Sequence, residues 1–256
     1  MVFRWSPWHG RKYFLDKMTL RELVVAYVTY PAIQAYALLA VVTGWLAIRW
    51  MTEPWSIAVA ALASFLVYPW AWYLLHRYVL HGHLLYRFSQ TAPLWKRIHF
   101  DHHQDPNDLG VLFGALYTTL PTIVIITGPI GWLIGGAPAA AAAVSMALLV
   151  TCFYEFCHCI QHLPFKPRYD WLREMKKRHI AHHFHSEKGN YGITTFVCDR
   201  VLGTYYDNPK TTPRSETVFN LGYCGEEVRR YPWVAQLSGL SLEEAEAGAL
   251  RPRKAS

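Results

Sequence analysis

Charge is scarce in this chain. Only 17% of its 256 residues are Asp, Glu, Lys or Arg, while 52% are hydrophobic. An ordinary soluble enzyme carries about a quarter charged residues, so this balance speaks against one. Acidic residues are scarcer than basic ones, 18 against 25, for a formal net charge of +7. That surplus suits anionic lipid headgroups or an acidic redox partner. No basic module or binding motif points to nucleic acid. Cysteine is also sparse: Cys152, Cys157, Cys159, Cys198 and Cys224 form an odd set with no CxxC. They read as reduced, mostly buried thiols on a cytoplasmic side, not as a disulfide framework. The N-terminus is basic and aromatic and lacks the cleavable apolar core of a signal peptide.

Three long stretches carry no charge at all: 24–48, 55–75 and 109–154. About 20 apolar residues cross a bilayer core, so the first two read as single spans and the third as two. Gly128-Pro129, Gly131 and Gly135-Gly136-Ala137-Pro138 punctuate the third and would turn a helical hairpin. The expected architecture is therefore an all-α integral membrane protein with four transmembrane helices in two hairpins. Eleven Trp and sixteen Tyr suit its interfacial belts. Basic residues fall before the first span (Arg4, Arg11, Lys12, Lys17, Arg21), between the second and third (Arg77, Arg87, Lys96, Arg97) and after the fourth (Lys166, Arg168, Arg173, Lys176, Lys177, Arg178). The loop at 49–54 has one Arg and one Glu, and that at 135–138 has no charge. By the positive-inside rule both termini face the cytoplasm, across a bacterial inner membrane or, in a eukaryote, the endoplasmic reticulum.

What is abundant is histidine. Ten of the thirteen fall into four clusters at the ends of the uncharged runs: His76/His81, His99/His102/His103, His158/His162 and His179/His182/His183. All four belong to the same, cytoplasmic side. Neutral imidazole is the commonest ligand for transition metals, and one metal takes about three to six ligands, so ten histidines imply two metals. Zinc alone would be satisfied by about four ligands, and an imidazole-rich non-heme di-iron centre with positions open for O2 fits better. On a helix, positions i, i+3 and i+4 share a face, so each HxxHH set and the His158/His162 pair can aim at one place. His76 and His81 are roughly 140° apart on a regular helix. Either the helix ends or bulges there, as π-bulges do at functional sites, or the two serve different metals. The halves form a loose repeat, a histidine pair followed by HxxHH after a basic segment.

Other residues are candidates beside the histidines. Soluble di-iron bundles use paired ExxH motifs, and Glu155-Phe-Cys-His158 is the one match in this chain. Glu155 and Asp101 are therefore expected to orient imidazoles. Asn190 and Asp199 either hydrogen-bond ligand imidazoles or cap turns. Tyr154, one turn before His158 on the ligand face, is the catalytic candidate: it would reach the reacting oxygen or line the substrate path, or else serve as a belt tyrosine. His83 and His185 face elsewhere, and His9 reads as interfacial. Residues 1–20 suit a segment lying in the interface, and 21–210 the membrane-embedded domain. Residues 211–256 form an extension with a capping box at Ser241–Glu244 opening a helix to about 250, and a disordered end.

The spacing HX4H, HX2HH, HX3H, HX2HH resembles the fatty acid hydroxylase/sterol desaturase superfamily, over about residues 55–206. His-Arg-Tyr-Val-Leu-His at 76–81, Lys-Lys-Arg-His-Ile-Ala-His-His at 176–183, Asn-Tyr-Gly-Ile-Thr and Asp-Arg-Val-Leu-Gly-Thr-Tyr are most similar to its fatty acid 2-hydroxylase branch. The resemblance implies four membrane helices under a cytosolic helical cap that holds two iron ions on the ten histidines, with O2 and two external electrons used to hydroxylate an acyl chain. Zinc can take such a site in purified protein. Some members carry a fused cytochrome b5 domain. This chain has no room for one, so the donor is expected to be separate: a cytochrome b5-like protein, or a ferredoxin with its reductase. The lipid substrate is a fatty acyl chain, free or within a sphingolipid or other lipid. The same centre would serve a sterol or carotenoid hydroxylase or desaturase. A metal transporter is the rival from another class, but the three uncharged runs contain no histidine at the depth where transport needs ionisable groups.

Overall fold

A computed structural model of the chain describes residues 12–247. His9 and most of the proposed interfacial segment, like the end of the C-terminal extension, lie outside the described residues. The regular structure of those described is all helical, with no β-strand and one isolated antiparallel bridge, Phe14 to Asp108. The helices are α1 (Leu20–Val28), α2 (Pro31–Arg49), α3 (Pro54–Leu74), α4 (Ala92–Trp95), α5 (Asp101–Gln104), α6 (Leu109–Leu112), α7 (Leu116–His162), α8 (Asp170–Phe184), α9 (Val197–Val201), α10 (Glu226–Arg230), α11 (Trp233–Leu237) and α12 (Leu242–Glu246). None of the five cysteines forms a disulfide, and three of them are buried.

Among the described residues, three stretches are long and apolar enough to cross a membrane: Pro31–Arg49, Pro54–Leu80 and Leu109–His162. The first begins seven residues into the uncharged run 24–48. Pro31 holds Tyr30 extended (φ −73°, ψ 125°), because a residue before proline is pushed out of the α region. The run therefore breaks into α1, closed at its start by a Thr19–Glu22 capping box, and α2. The third stretch contains its own break. Gly135 and Gly136 leave helical geometry, Gly136 with φ 67°, a left-handed value that glycine adopts without strain. A Cβ on Gly131 would overlap the Ala139 carbonyl and Ala140 Cα, so the chain doubles back on itself at this glycine pair.

The chain divides into two compact units, one built from 19–72 and 114–158, the other from 13–18, 73–113 and 159 onward. The first packs through small residues. Ala60, Ala139 and Ala143 form a buried cluster, and Ser64 and Ser145 donate to the Ala143 and Ala40 carbonyls at 2.8 Å. Small side chains let helices approach, and hydroxyls bond across them, as membrane bundles require. Outward, Val41 (69% exposed) and Leu133 (86%) present apolar surface of the kind a lipid bilayer covers.

The second unit buries most of the clustered histidines beside an aromatic core. A core of Trp95, Phe100, Tyr223, Val228 and Val234 joins 86–100 to residues beyond 210. Within it Trp95 donates to the Leu80 carbonyl at 2.7 Å. Residues 13–15 pair with 107–109, through Leu15 N–H to Asn107 (2.8 Å) and Leu109 N–H to Tyr13 (3.0 Å). The Ser241–Glu244 capping box opens α12, which ends at Glu246.

Candidate metal centre

The His76/His81 problem is solved by a wider turn. Residues Leu75–Leu80 continue α3 as a π-helix, and His81 N–H donates to the His76 carbonyl five residues back at 3.0 Å. That turn brings the two imidazoles together edge to face, with Nε2 atoms 3.1 Å apart. A second π-helix, Lys96–Phe100, carries His99 into α5. The HxxHH set of α8 stands on an ordinary α-helix.

The ten histidines gather into two groups of five, with ligand nitrogens within 4.8 Å of one another in each. One group is His76, His81, His99, His103 and His182; the other is His102, His158, His162, His179 and His183. Each HxxHH set was expected to aim at one place, and neither does. Its first and third histidines, one helical turn apart, go to one group, and the middle one goes to the other. The 100° step between adjacent helical positions turns the middle ring away. The groups adjoin: the His103 and His183 ring centroids are 4.4 Å apart. Eight of the ten side chains are buried, and His81 and His158 are half-buried.

Backbone carbonyls decide which nitrogen carries the proton. Nδ1 of His76 lies 2.6 Å from the Tyr191 carbonyl, Nδ1 of His182 lies 2.8 Å from that of Gly189, and Nδ1 of His103 lies 3.2 Å from that of Val218. A carbonyl only accepts, so each Nδ1 is the N–H and each Nε2 presents a lone pair. In the same group the Nε2 atoms of His99 and His81 are 2.8 Å apart; in the other, those of His162 and His179 are 2.8 Å apart. His182 Nε2 and His183 Nδ1 are buried with no hydrogen-bond partner. Burial, reinforced by neighbouring imidazoles, holds His81, His99 and His183 well below the ordinary histidine range, and burial brings His182 to about 4. Neutral rings with converging lone pairs are the donor set that two soft-to-borderline cations would complete.

A model of the fatty acid hydroxylase family matches residues 61–204, more than half of the chain and the stretch in which all ten histidines lie. The chain belongs to the fatty acid hydroxylase family. It is 29% identical to dihydroceramide fatty acyl 2-hydroxylase FAH2 of Arabidopsis thaliana, over 57% of this chain and 61% of that protein. It is 27% identical to the ceramide very long chain fatty acid hydroxylase scs7 of Schizosaccharomyces pombe, over 59% and 44%, and 28% identical to fatty acid 2-hydroxylase of Rattus norvegicus, over 52% and 35%. Each match takes in less than two-thirds of the relative's length. The fold is similar to that of full-length scs7p, in which only the hydroxylase domain is visible: TM-score 0.57 at 23% identity, covering 72% of this chain and 68% of that one.

In this hydroxylase-family chain each acidic candidate has a partner of its own. Asp101 pairs with Lys96 at 2.5 Å, and Glu155 is buried facing the Gly114 N–H at 3.4 Å. Asn190, at φ 55°, clamps Tyr206 through both ends of its amide, at 3.0 and 3.1 Å. Asp199 accepts from the Tyr191 and Gly192 N–H groups, both at 2.8 Å, and from the Thr204 hydroxyl at 2.7 Å. Both residues thus brace the 189–192 loop, whose carbonyls hold His182 and His76. The three anchoring carbonyls themselves escaped sequence reasoning, since any residue type supplies one; the turn-forming Asn-Tyr-Gly signal contains only that of Tyr191. Tyr154 packs against Tyr68 and Trp72, with its ring centroid 6.4 Å from that of His158. His185 leaves the clusters and faces the Thr212 carbonyl at 2.7 Å.

Proposed function

We propose that this protein is a membrane-bound, O2-dependent lipid monooxygenase that hydroxylates a fatty acyl chain, free or within a sphingolipid or other lipid. The observation that carries the reading is the pair of adjoining five-histidine groups in a chain of the fatty acid hydroxylase family. The names of the 2-hydroxylase relatives support an acyl substrate.

His76, His81, His99, His103 and His182 would hold one iron ion, and His102, His158, His162, His179 and His183 the other. Together the two ions supply the redox chemistry by which O2 inserts one oxygen atom into a C–H bond, the second atom leaving as water with two electrons and two protons. The protein's own part is to keep the imidazoles neutral and their lone pairs aimed inward. Burial does the first, and the Tyr191, Gly189 and Val218 carbonyls do the second for three of them. Tyr154, with Tyr68 and Trp72, would form an aromatic wall that steers the acyl chain. A positioning error of about an ångström redirects such reactions, so this wall would help choose hydroxylation over desaturation.

Four spans are the membrane topology we favour, the break at Gly135–Gly136 turning the second hairpin. The basic loops support a helical cap and active site on the cytoplasmic face. There an acidic electron donor, a cytochrome b5-like protein or a ferredoxin with its reductase, would meet the basic chain.

Mass spectrometry of lipids from cells with and without the protein tests the reading. A lipid gaining one oxygen is the expected result; loss of two hydrogens would make it a desaturase. An unchanged lipid profile from metal-loaded protein supplied with a working donor would overturn it. Zinc in purified protein counts as a substitute for iron in a histidine-rich site.

A further inference from the structure

Asp199 is completely buried at the start of α9, yet all three of its hydrogen-bond partners are donors: two N–H groups and the Thr204 hydroxyl. Such a set suits a carboxylate, since the two N–H groups can only donate and the Thr204 hydroxyl can turn its proton toward the acid. The charge is also answered from a distance. Arg77 donates to the Tyr73 hydroxyl at 2.9 Å, and Tyr73 lies 2.8 Å from Thr204 Oγ1. Because Thr204 spends its proton on Asp199, Tyr73 donates to Thr204, and the chain of donors points from guanidinium to carboxylate.

On the other side of Asp199 stands one peptide group. The Gly192 N–H and the Tyr191 carbonyl are its two ends. The N–H donates to Asp199 Oδ2 at 2.8 Å, and the carbonyl accepts from His76 Nδ1–H at 2.6 Å. Hydrogen bonds in series polarise one another, so a carboxylate on the N–H end makes the carbonyl a stronger acceptor. A stronger acceptor on Nδ1–H makes the opposite nitrogen of the imidazole a better donor to a metal. Glycine makes the contact possible: a Cβ on residue 192 would overlap the Thr195 carbonyl and lie 3.0 Å from Asp199 Oδ2.

We propose that Asp199 acts on His76 through the Tyr191–Gly192 peptide, as a positioning residue that fixes the ring's tautomer and strengthens its Nε2 as a ligand. The inference rests on reading the first histidine group as a metal site. It assigns Asp199 an effect on one metal and not on the other.

The test is a Co(II) titration of the whole, metal-stripped protein in detergent micelles, followed by calorimetry and by the visible spectrum of the bound ion. Wild-type protein is expected to bind two ions. Asp199→Asn keeps the side chain's size but removes its charge, and should weaken one of the two steps by about tenfold to a hundredfold while the other stays unchanged. In a His76→Ala background the same substitution should add nothing. Equal weakening of both steps, no weakening of either, or a loss that adds fully to that of His76→Ala would overturn the proposal. Should Asp199→Asn not fold, Asp199→Ser, whose hydroxyl accepts one N–H without charge, takes the same comparison. Wild-type protein that binds fewer than two ions would overturn the metal-site reading itself, an outcome distinct from two ions bound and Asp199 without effect.

Discussion

The two HxxHH motifs are alike in sequence and opposite in allocation. His99 and His103 join the first group and send His102 to the second, while His179 and His183 join the second and send His182 to the first. Their backbones differ too: the earlier motif enters α5 from a π-helix, the later one rides α8. Exchange of the middle histidine means that neither half completes a site alone. It also explains how two groups stay adjacent without sharing a ligand: neighbouring positions on one helix are splayed by about 100°, so a single turn serves both.

The exchange is most directly broken by its crossed members. His182→Ala should remove a ligand from the first group only and His102→Ala from the second only, each lowering metal content from about two ions toward one. Hydroxylation should fall at least about a hundredfold in both, the upper end of what losing even an orienting partner costs. Metal analysis and turnover on lipid check this, and a variant with full metal content and activity would refute the allocation.

Protonation should come next in size. His182 is depressed from 6.5 to about 4 by burial, so between those values the unfolded chain binds a proton that the folded one refuses. Stability of the metal-free protein is therefore complete above about pH 6.5 and declines as pH falls toward 4. His182 alone is worth about 3 kcal/mol, and His81, His99 and His183 act in the same direction. Denaturation midpoints measured from pH 7 to 4 check the slope, and His182→Ala should flatten it.

Asn190→Ala sharpens the contrast between groups. It removes both bonds to Tyr206 and puts alanine at φ 55°, costing roughly 1–3 kcal/mol. It should loosen the first metal, whose His182 is anchored at Gly189, and spare the second. Smallest is Tyr154→Phe beside His158. Its ring packing survives, so turnover should drop by roughly tenfold, less than the 10²-fold or more typical of a proton-transfer group. Metal content should not change.

Much of this was legible beforehand. Histidine spacing singled out all ten clustered residues, and the HX4H interval anticipated a local break in the helix at 76–81. The glycines at 135–136 marked the turn in the long run. An acidic residue beside a histidine, as Asp101 and Glu155 are, looks like its orienting partner, and spacing alone says no more than that. In the fold Asp101 is taken by Lys96, five residues earlier, and three rings are oriented by carbonyls from residues 189, 191 and 218. Backbone acceptors leave no trace in residue identity, and partners 115 positions away leave none in local spacing.

By itself, then, the sequence determined the chemistry available here: apolar runs long enough for lipid, ten imidazoles with a helical period, and a family. Periodicity and composition are local properties, and the chain writes them directly. Only the tertiary structure decided which five histidines meet and which ring nitrogen keeps its proton. It also showed that Asp199 reaches His76 through a peptide. Those outcomes depend on where distant backbone groups come to rest once polar atoms are buried and must find partners.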